Sequence, residues 1–158
     1  MSLEAKLTLK NLGDDFAVDA YRHIDELSEL FETTVEVLSR DAEHDLAEVL
    51  GAEAALTLGS GEEAITFTGL ACEAEQLTQV PDGLSRYRIR IVPIEWLASK
   101  RRNTRIFQHL SIPEIIDEVY AFLGEGPAKK LAMSYEPREY TVQYGESDHR
   151  FASRLLAE

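Results

Sequence analysis

The sequence predicts an α+β chain, mainly antiparallel β, in which a small β-barrel or sandwich is followed by a helix-containing segment. Three observations carry this. Arg86 to Val92 alternates cleanly, with Tyr87, Ile89 and Ile91 on one face and Arg86, Arg88 and Arg90 on the other. That is the pattern of a half-buried strand, whose side chains point to opposite faces in turn. Similar short segments recur up to residue 94, spaced by turn residues, as in a small barrel or sandwich. From Pro93 the period changes. Ser111 and Glu114 have the spacing of a capping box, and apolar residues then recur at helical intervals. These changes place a β-rich, barrel-like domain at residues 1–94 and an α+β segment at residues 95–158.

In order, Leu3, Ala5, Leu7 and Leu9 alternate with Glu4, Lys6 and Thr8 as a first strand, and Asn11 to Asp15 is a turn cluster. Phe16 to Ile24 reads as a second strand with Phe16, Val18, Ala20 and Arg22 on one face. Asp25 to Glu29 connects it to a third, in which Phe31, Thr33, Val35 and Val37 alternate against Glu32, Thr34 and Glu36. Leu46, Val49 and Leu50 have helical spacing stopped by Gly51, so Asp45 to Leu50 is one or two helical turns. Ala54 to Leu58 and Ala64 to Ala71 form a hairpin around Gly59-Ser60-Gly61. The second of these runs on through Cys72 to Leu77 if Gly69 marks a bulge. Pro81-Asp82-Gly83 is a turn, because proline presets one dihedral and glycine permits the positive one.

In the second segment, Glu95 to Lys100 is a short helix, and Lys100 to Arg105 is a basic turn that leads to the capped helix. Ile112, Ile115, Ile116, Val119, Tyr120 and Leu123 share one face of that helix, and Gly124 stops it. After a loop at Gly124 to Pro127, Leu131 to Tyr135 and Glu139 to Tyr144 read as strands. The last helix starts at Ser147, with Phe151 and Leu155 one turn apart. No glycine or proline closes it before Glu158, so the polypeptide is expected to continue.

The composition is that of a soluble globular chain, 44% hydrophobic and 28% charged, over 158 residues. The formal net charge of −13 argues against a nucleic-acid partner and against an anionic membrane surface. No apolar run approaches the roughly 20 residues of a membrane span. Met1 to Glu4 has neither the basic nor the apolar region of a signal peptide, so export needs another route. Cys72 is the single cysteine, which leaves no internal disulfide. It reads as a small core residue.

The candidate chemistry is thin. Gly59-x-Gly61-x-x-Ala64 imitates a dinucleotide fingerprint, but a strand follows where a phosphate-binding helix is needed, so a hairpin turn is the better reading. His23, His44, His109 and His149 lack the spacing of a metal site and read as solvent-exposed or capping residues; no metal or cofactor is expected. No nucleophile elbow is present. Carboxylate pairs such as Asp14-Asp15 and Glu62-Glu63 sit in turns. Lys100, Arg101, Arg102 and Arg105 form the one basic cluster. It reads either as a docking surface for an acidic neighbour or as local pairing with residues such as Glu95 or Asp117.

The last third carries the most specific pattern. Gln143-Tyr144 is followed by Glu146-Ser147-Asp148 and then by Phe151 to Leu156, which includes Arg154 and Leu155. Upstream lie Arg105-Ile106-Phe107-Gln108, Ser111-Ile112-Pro113, and Tyr87 to Trp96 with Pro93 inside. In this order the motifs resemble the VgrG family (Rhs element Vgr proteins), the spike proteins of bacterial type VI secretion, and the related hub proteins of contractile phage tails. The sequence departs from the family at Gly145, where a larger, often basic residue is expected, and at Ala157, where an acidic one is.

The resemblance implies a phage tail baseplate hub-like fold without a catalytic group. It implies a homotrimeric ring in the complete protein that caps the tube and carries a membrane-piercing needle. Implied partners are an Hcp-like tube protein, a spike-tip protein, baseplate components and secreted effectors. Assembly would be in the bacterial cytoplasm, with export that uses no signal peptide. A phage or prophage tail hub is the alternative, and a wall-degrading hydrolase the competing class. Tyr87, Pro93, Trp96, Arg105, Phe107, Gln143, Tyr144, Glu146, Asp148, Phe151, Arg154 and Leu155 are the signature residues, with an architectural role expected. Tyr144 and Phe151 are both expected to be packed at the strand-to-helix junction. Asp148 suits the first turn of the last helix, and Arg154 is within reach of Glu146 or a strand.

Overall fold

A computed structural model describes residues 4–10, 16–80, 83–124 and 127–158. Leu3, the Asn11 to Asp15 cluster, Pro81, Asp82, Glu125 and Gly126 lie outside the described residues. The chain divides into two compact units, Met1–Pro93 and Ile94–Glu158.

In the first unit, β1 (Ala5–Leu9), β2 (Ala17–Ile24), β3 (Glu32–Ser39), β4 (Glu53–Leu58), β5 (Ile65–Val80) and β6 (Leu84–Val92) close an antiparallel barrel in the order β1-β2-β3-β6-β5-β4. A short helix, α1 (Leu46–Val49), is capped by the Asp45 side chain, which accepts from the Ala47 amide. A barrel, not a sandwich, is therefore the outcome. Every strand contributes alternate side chains to one interior, among them Leu7, Leu9, Val35, Val37, Leu56, Ile89 and Ile91, all nearly inaccessible to solvent. The alternation of β3 and β6 falls as the sequence predicts.

The outward row of β6 is paired on both sides. Arg86 meets Asp19 at 2.9 Å, Arg88 meets Glu36 at 2.8 Å and Glu75 at 2.9 Å, and Arg90 meets Glu32 at 3.1 Å and Glu73 at 2.7 Å.

Two strand expectations are corrected. In β2 the register shifts between Val18 and Ala20. The extra residue exchanges the faces, so Ala20 and Arg22 point outward, while Tyr21 and His23 take positions opposite Val35 and Thr33. In β5 the irregularities lie between Ala71 and Glu73 and between Gln76 and Gln79, not at Gly69. Gly69 is instead a point of close approach. A Cβ there would lie 2.1 Å from the Val92 carbonyl oxygen. The bulge at Cys72 leaves that residue half-buried, not in the core. Burial pushes its thiol pKa up. β5 pairs β4 along its first part and β6 along the rest, with Leu70 opposite both Glu53 and Val92.

The second unit holds α2 (Trp96–Lys100), β7 (Arg102–Phe107), α3 (Ile112–Tyr120), β8 (Thr141–Ser147) and α4 (Asp148–Leu156). The basic turn of the sequence reading is the strand β7, which pairs β8 from Arg102↔Ser147 to Phe107↔Thr141. Leu131 to Tyr135 forms no strand; it crosses the surface as an irregular segment. The core joins Phe107, Ile115, Ile116, Val119, Phe151 and Leu155 from one strand and two helices. The Ser111 cap of α3 is as predicted, with its amide donating to the Glu114 carboxylate at 2.7 Å.

Two expectations follow. Gly69→Ala should destabilise the barrel by about 1–3 kcal/mol, because a backbone carbonyl must move to admit the methyl group; urea denaturation reads this directly. The Ser111 hydroxyl and amide hold the Glu114 carboxyl below its ordinary value of 4.5. Stability owed to that group is therefore complete above pH 4.5 and lost as pH falls through the lowered folded-state value. The stability gap between the parent and Glu114→Gln should narrow as melts are taken from neutral pH down to about 3.

Candidate functional site

The strand-to-helix junction of the second unit gathers most of the signature residues. β8 delivers Gln143 inward, because Thr141 and Gln143 share its buried face. Gly145 follows at φ +60, and the register slips one residue there, between Thr104↔Tyr144 and Asn103↔Glu146. A left-handed bulge residue of this kind favours glycine, which accounts for Gly145 where a larger side chain was expected. Ser147 caps α4 by accepting from the Arg150 amide, and Asp148 becomes the first helical residue.

Asp148 is fully buried. Its Oδ1 accepts from Arg105 Nη2 at 2.6 Å, Asn103 Nδ2 at 2.8 Å and Gln143 Nε2 at 2.8 Å. Arg105 Nε also donates to Gln143 Oε1 at 2.9 Å, and Gln143 Nε2 donates to the Glu146 carbonyl at 3.1 Å. Oδ2 faces Arg101 Nε at 3.7 Å, and the Asp148 amide donates to the Arg101 carbonyl at 2.9 Å. The helix N-terminus adds a favourable dipole. Arg154 donates to Glu146 Oε1 at 2.7 Å and to the Val142 carbonyl at 3.2 Å, reaching both expected partners. The Glu146 hydrogen bond raises the Arg154 pKa further.

Below this network Phe107 and Phe151 stack with centroids 5.5 Å apart, over Leu155. Trp96 carries the Lys100 ammonium at 4.3 Å from its ring centre. Tyr87 and Pro93 belong to the first unit. There Tyr87 is buried beside Phe16 and His44, and its hydroxyl donates to the Asp41 carbonyl. Tyr144 is not packed: its side chain stands on the outward face of β8, 81% exposed.

The basic cluster pairs locally, but with Asp148 and not with Glu95 or Asp117. Arg102 donates to the Gly145 carbonyl, and Asp117 takes Lys129. Asn103 escaped the sequence reading. Its signal was the odd-numbered row Arg101, Asn103, Arg105, Phe107, which becomes visible once RRNTRIF is read as a strand. Two of the histidines are corrected as well, while His109 is exposed as expected. His44 is 11% exposed, bonded to Ser39 and in contact with Phe16, while His23 stacks on Phe67. Among the described residues no group of three His, Cys, Asp or Glu side chains is set to hold a metal ion.

Asp148→Ala should cost about 3 kcal/mol, the low end for breaking a buried pair, since Arg105 keeps some contact with water. Phe151→Ala should cost about 3–5 kcal/mol. Tyr144→Ala should stay within about 0.5 kcal/mol of the parent. Chemical denaturation of the three variants orders them.

The description "Phage tail baseplate hub (GPD)" matches residues 24–158. Over 158 aligned residues the chain is 32% identical to the type VI secretion system spike protein VgrG4b of Pseudomonas aeruginosa, covering 96% of this chain and 19% of that protein. It is likewise 32% identical to VgrG5 of the same organism, with the same shares covered. The chain thus spans about a fifth of the length of these curated relatives. Among solved structures, the E. coli c3393 protein is similar with a TM-score of 0.82 and 25% identity, over 96% of this chain and 42% of that one. That protein is described as a component of the type VI secretion system with structural similarity to the phage T4 tail proteins gp27 and gp5. The 43 kDa tail protein of prophage MuSo2 from Shewanella oneidensis shares the fold with a TM-score of 0.71 at 13% identity, over 98% of this chain and 47% of that one. The match from residue 24 to residue 158, together with relatives that align to nearly the whole chain, places it in the phage tail baseplate hub family.

Proposed function

We propose that this chain is the hub part of a type VI secretion spike. It would join two further copies in a ring that caps the tube and carries a membrane-piercing needle. The observation that carries the reading is the 32% identity to spike proteins across 96% of the chain. In this reading residues 1–94 are the barrel-like hub domain and residues 95–158 the second hub segment. The signature residues are architectural. Asp148, Gln143 and Arg105 lock strand to helix, and Phe107, Phe151 and Leu155 fill the space beneath. The protein does no chemistry of its own. Its partners are the Hcp-like tube protein, a spike-tip protein, baseplate components and cargo effectors. It assembles in the bacterial cytoplasm and leaves with the machine. A phage or prophage tail hub is the second reading, favoured by the fold shared with the MuSo2 tail protein.

The complete protein is expected to be a homotrimer by light scattering, and residues 1–158 to trimerise weakly or not at all. Each copy carries −13 charges, so any self-association should strengthen as salt is raised from low ionic strength. The screening length is then only about 8 Å. A monomeric complete protein overturns the hub reading.

A further inference from the structure

Two features, one in each unit, are complementary in shape and charge. The first is the connection between β2 and β3. It ends in a tight turn, in which the Glu29 amide donates to the Glu26 carbonyl at 3.1 Å and Ser28 holds φ +65. A left-handed backbone is uncommon for a residue with a Cβ, and here it closes the turn. Leu27 stands at the tip, 97% exposed. Asp25, Glu26 and Glu29 flank it, all exposed and none in an ion pair among the described residues.

The second is a groove between α3, the end of α4 and the irregular segment at residues 127–135. Ile112, Ile116, Leu131, Tyr135 and Leu156 line a volume of about 310 Å³. That is about ten times the share of one water in the liquid, enough to admit a leucine side chain and part of its turn. Lys129 and Lys130 bring cations to the same groove. Lys129 is held by the Asp117 carboxylate, whereas Lys130 is exposed and makes no ion pair among the described residues. The one carboxylate in the lining, Glu158, is already paired with Arg138 at 2.7 Å.

Resting on the hub reading, we propose that in the complete homotrimer the β2–β3 tip of one copy enters the α3–α4 groove of the next. Leu27 then lies against Ile112, Ile116 and Leu131, and the carboxylates beside it face Lys129 and Lys130. A knob on one face and a socket on another make a head-to-tail contact, the kind that closes a ring of three; a face that pairs with itself stops at two. Charge selects the same pairing. Nearly all of the acidic excess lies in the first unit, and the second is close to balanced. Barrel against barrel brings like charges together, and the tip against Lys130 does not. Salt screens the long-range repulsion between chains of −13 charges, while pairs at contact lie well inside the screening length of about 8 Å. One turn in one groove falls short of the roughly 1,200–2,000 Å² of a stable interface, in keeping with weak association of residues 1–158.

Disulfide trapping in the complete protein tests this, with Cys72→Ser to remove the native thiol. Chains that carry both Leu27→Cys and Leu131→Cys should give covalent dimers and trimers on mild oxidation, and nothing larger. Chains with only one of the two changes should give neither. Both positions are exposed, so neither change removes a core side chain. Lys130→Glu should slow trapping about two- to fivefold, the range of an exposed ion pair, and Glu26→Lys in the same chain should restore it. A trimer by light scattering that gives no covalent product, or only a bond within one chain, keeps the hub and removes this contact. Equal trapping in the chains with a single change overturns the contact too, as does a ladder that runs past three. A monomer overturns both the contact and the hub.

Discussion

A carboxylate taken out of water costs several kcal/mol unless donors replace its hydration, and Asp148 is such a carboxylate. Its three donors come from two strands, Asn103 and Arg105 on β7 and Gln143 on β8, while Asp148 opens α4. A two-stranded ribbon is marginal by itself. Here its register, its bulge at Gly145 and the start of the helix meet at one oxygen atom. Any slip of β7 against β8 would carry Asn103 and Arg105 away from the charge and leave it Gln143 alone of its three donors. The aromatic layer of Phe107 and Phe151 depends on the same alignment, since each ring is fixed to an element that the carboxylate positions.

The first unit is held by a different constraint, closure. Six strands close on themselves, and β5 passes from β4 to β6 at Leu70, with its two bulges in the part that pairs β6. Gly69 sits just before that passage, where the backbone of β6 comes too near for any side chain. On the outside, three arginines of β6 stand between carboxylates of β2, β3 and β5. Each exposed pair contributes little alone. The row matters more for keeping this face wet while the opposite face of the same strand is buried.

Period and caps made most of the architecture legible. The alternation of β3 and β6 and the capped α3 need nothing but local chemistry. The bulge in β2 could not be read, because it depends on how β3 lies beside it, and one inserted residue reversed the faces of Ala20 and Arg22. β7 was hidden by composition: RRNTR is polar on both faces, and its inward row became apolar only at Phe107. Leu131 to Tyr135 erred the other way, with a strand pattern and no partner to satisfy it. In the site, Gln143, Asp148, Phe151 and Arg154 stood out in the sequence. Their convergence did not, since Asn103 lies 45 residues from the carboxylate that it serves.

Tyr144 is the signature aromatic that the fold does not use. The backbone on either side of it is already fixed. Gln143 is buried and held by three side-chain hydrogen bonds, and the Gly145 amide donates to Thr104 Oγ1 at 3.2 Å. The ring is thus presented on a rigid support, with only about two side-chain torsions left to freeze. Covering it would sacrifice almost no chain entropy, so nearly all of the transfer free energy of a large ring would remain as binding free energy. A side chain in a loop would lose much of that gain to ordering its own backbone.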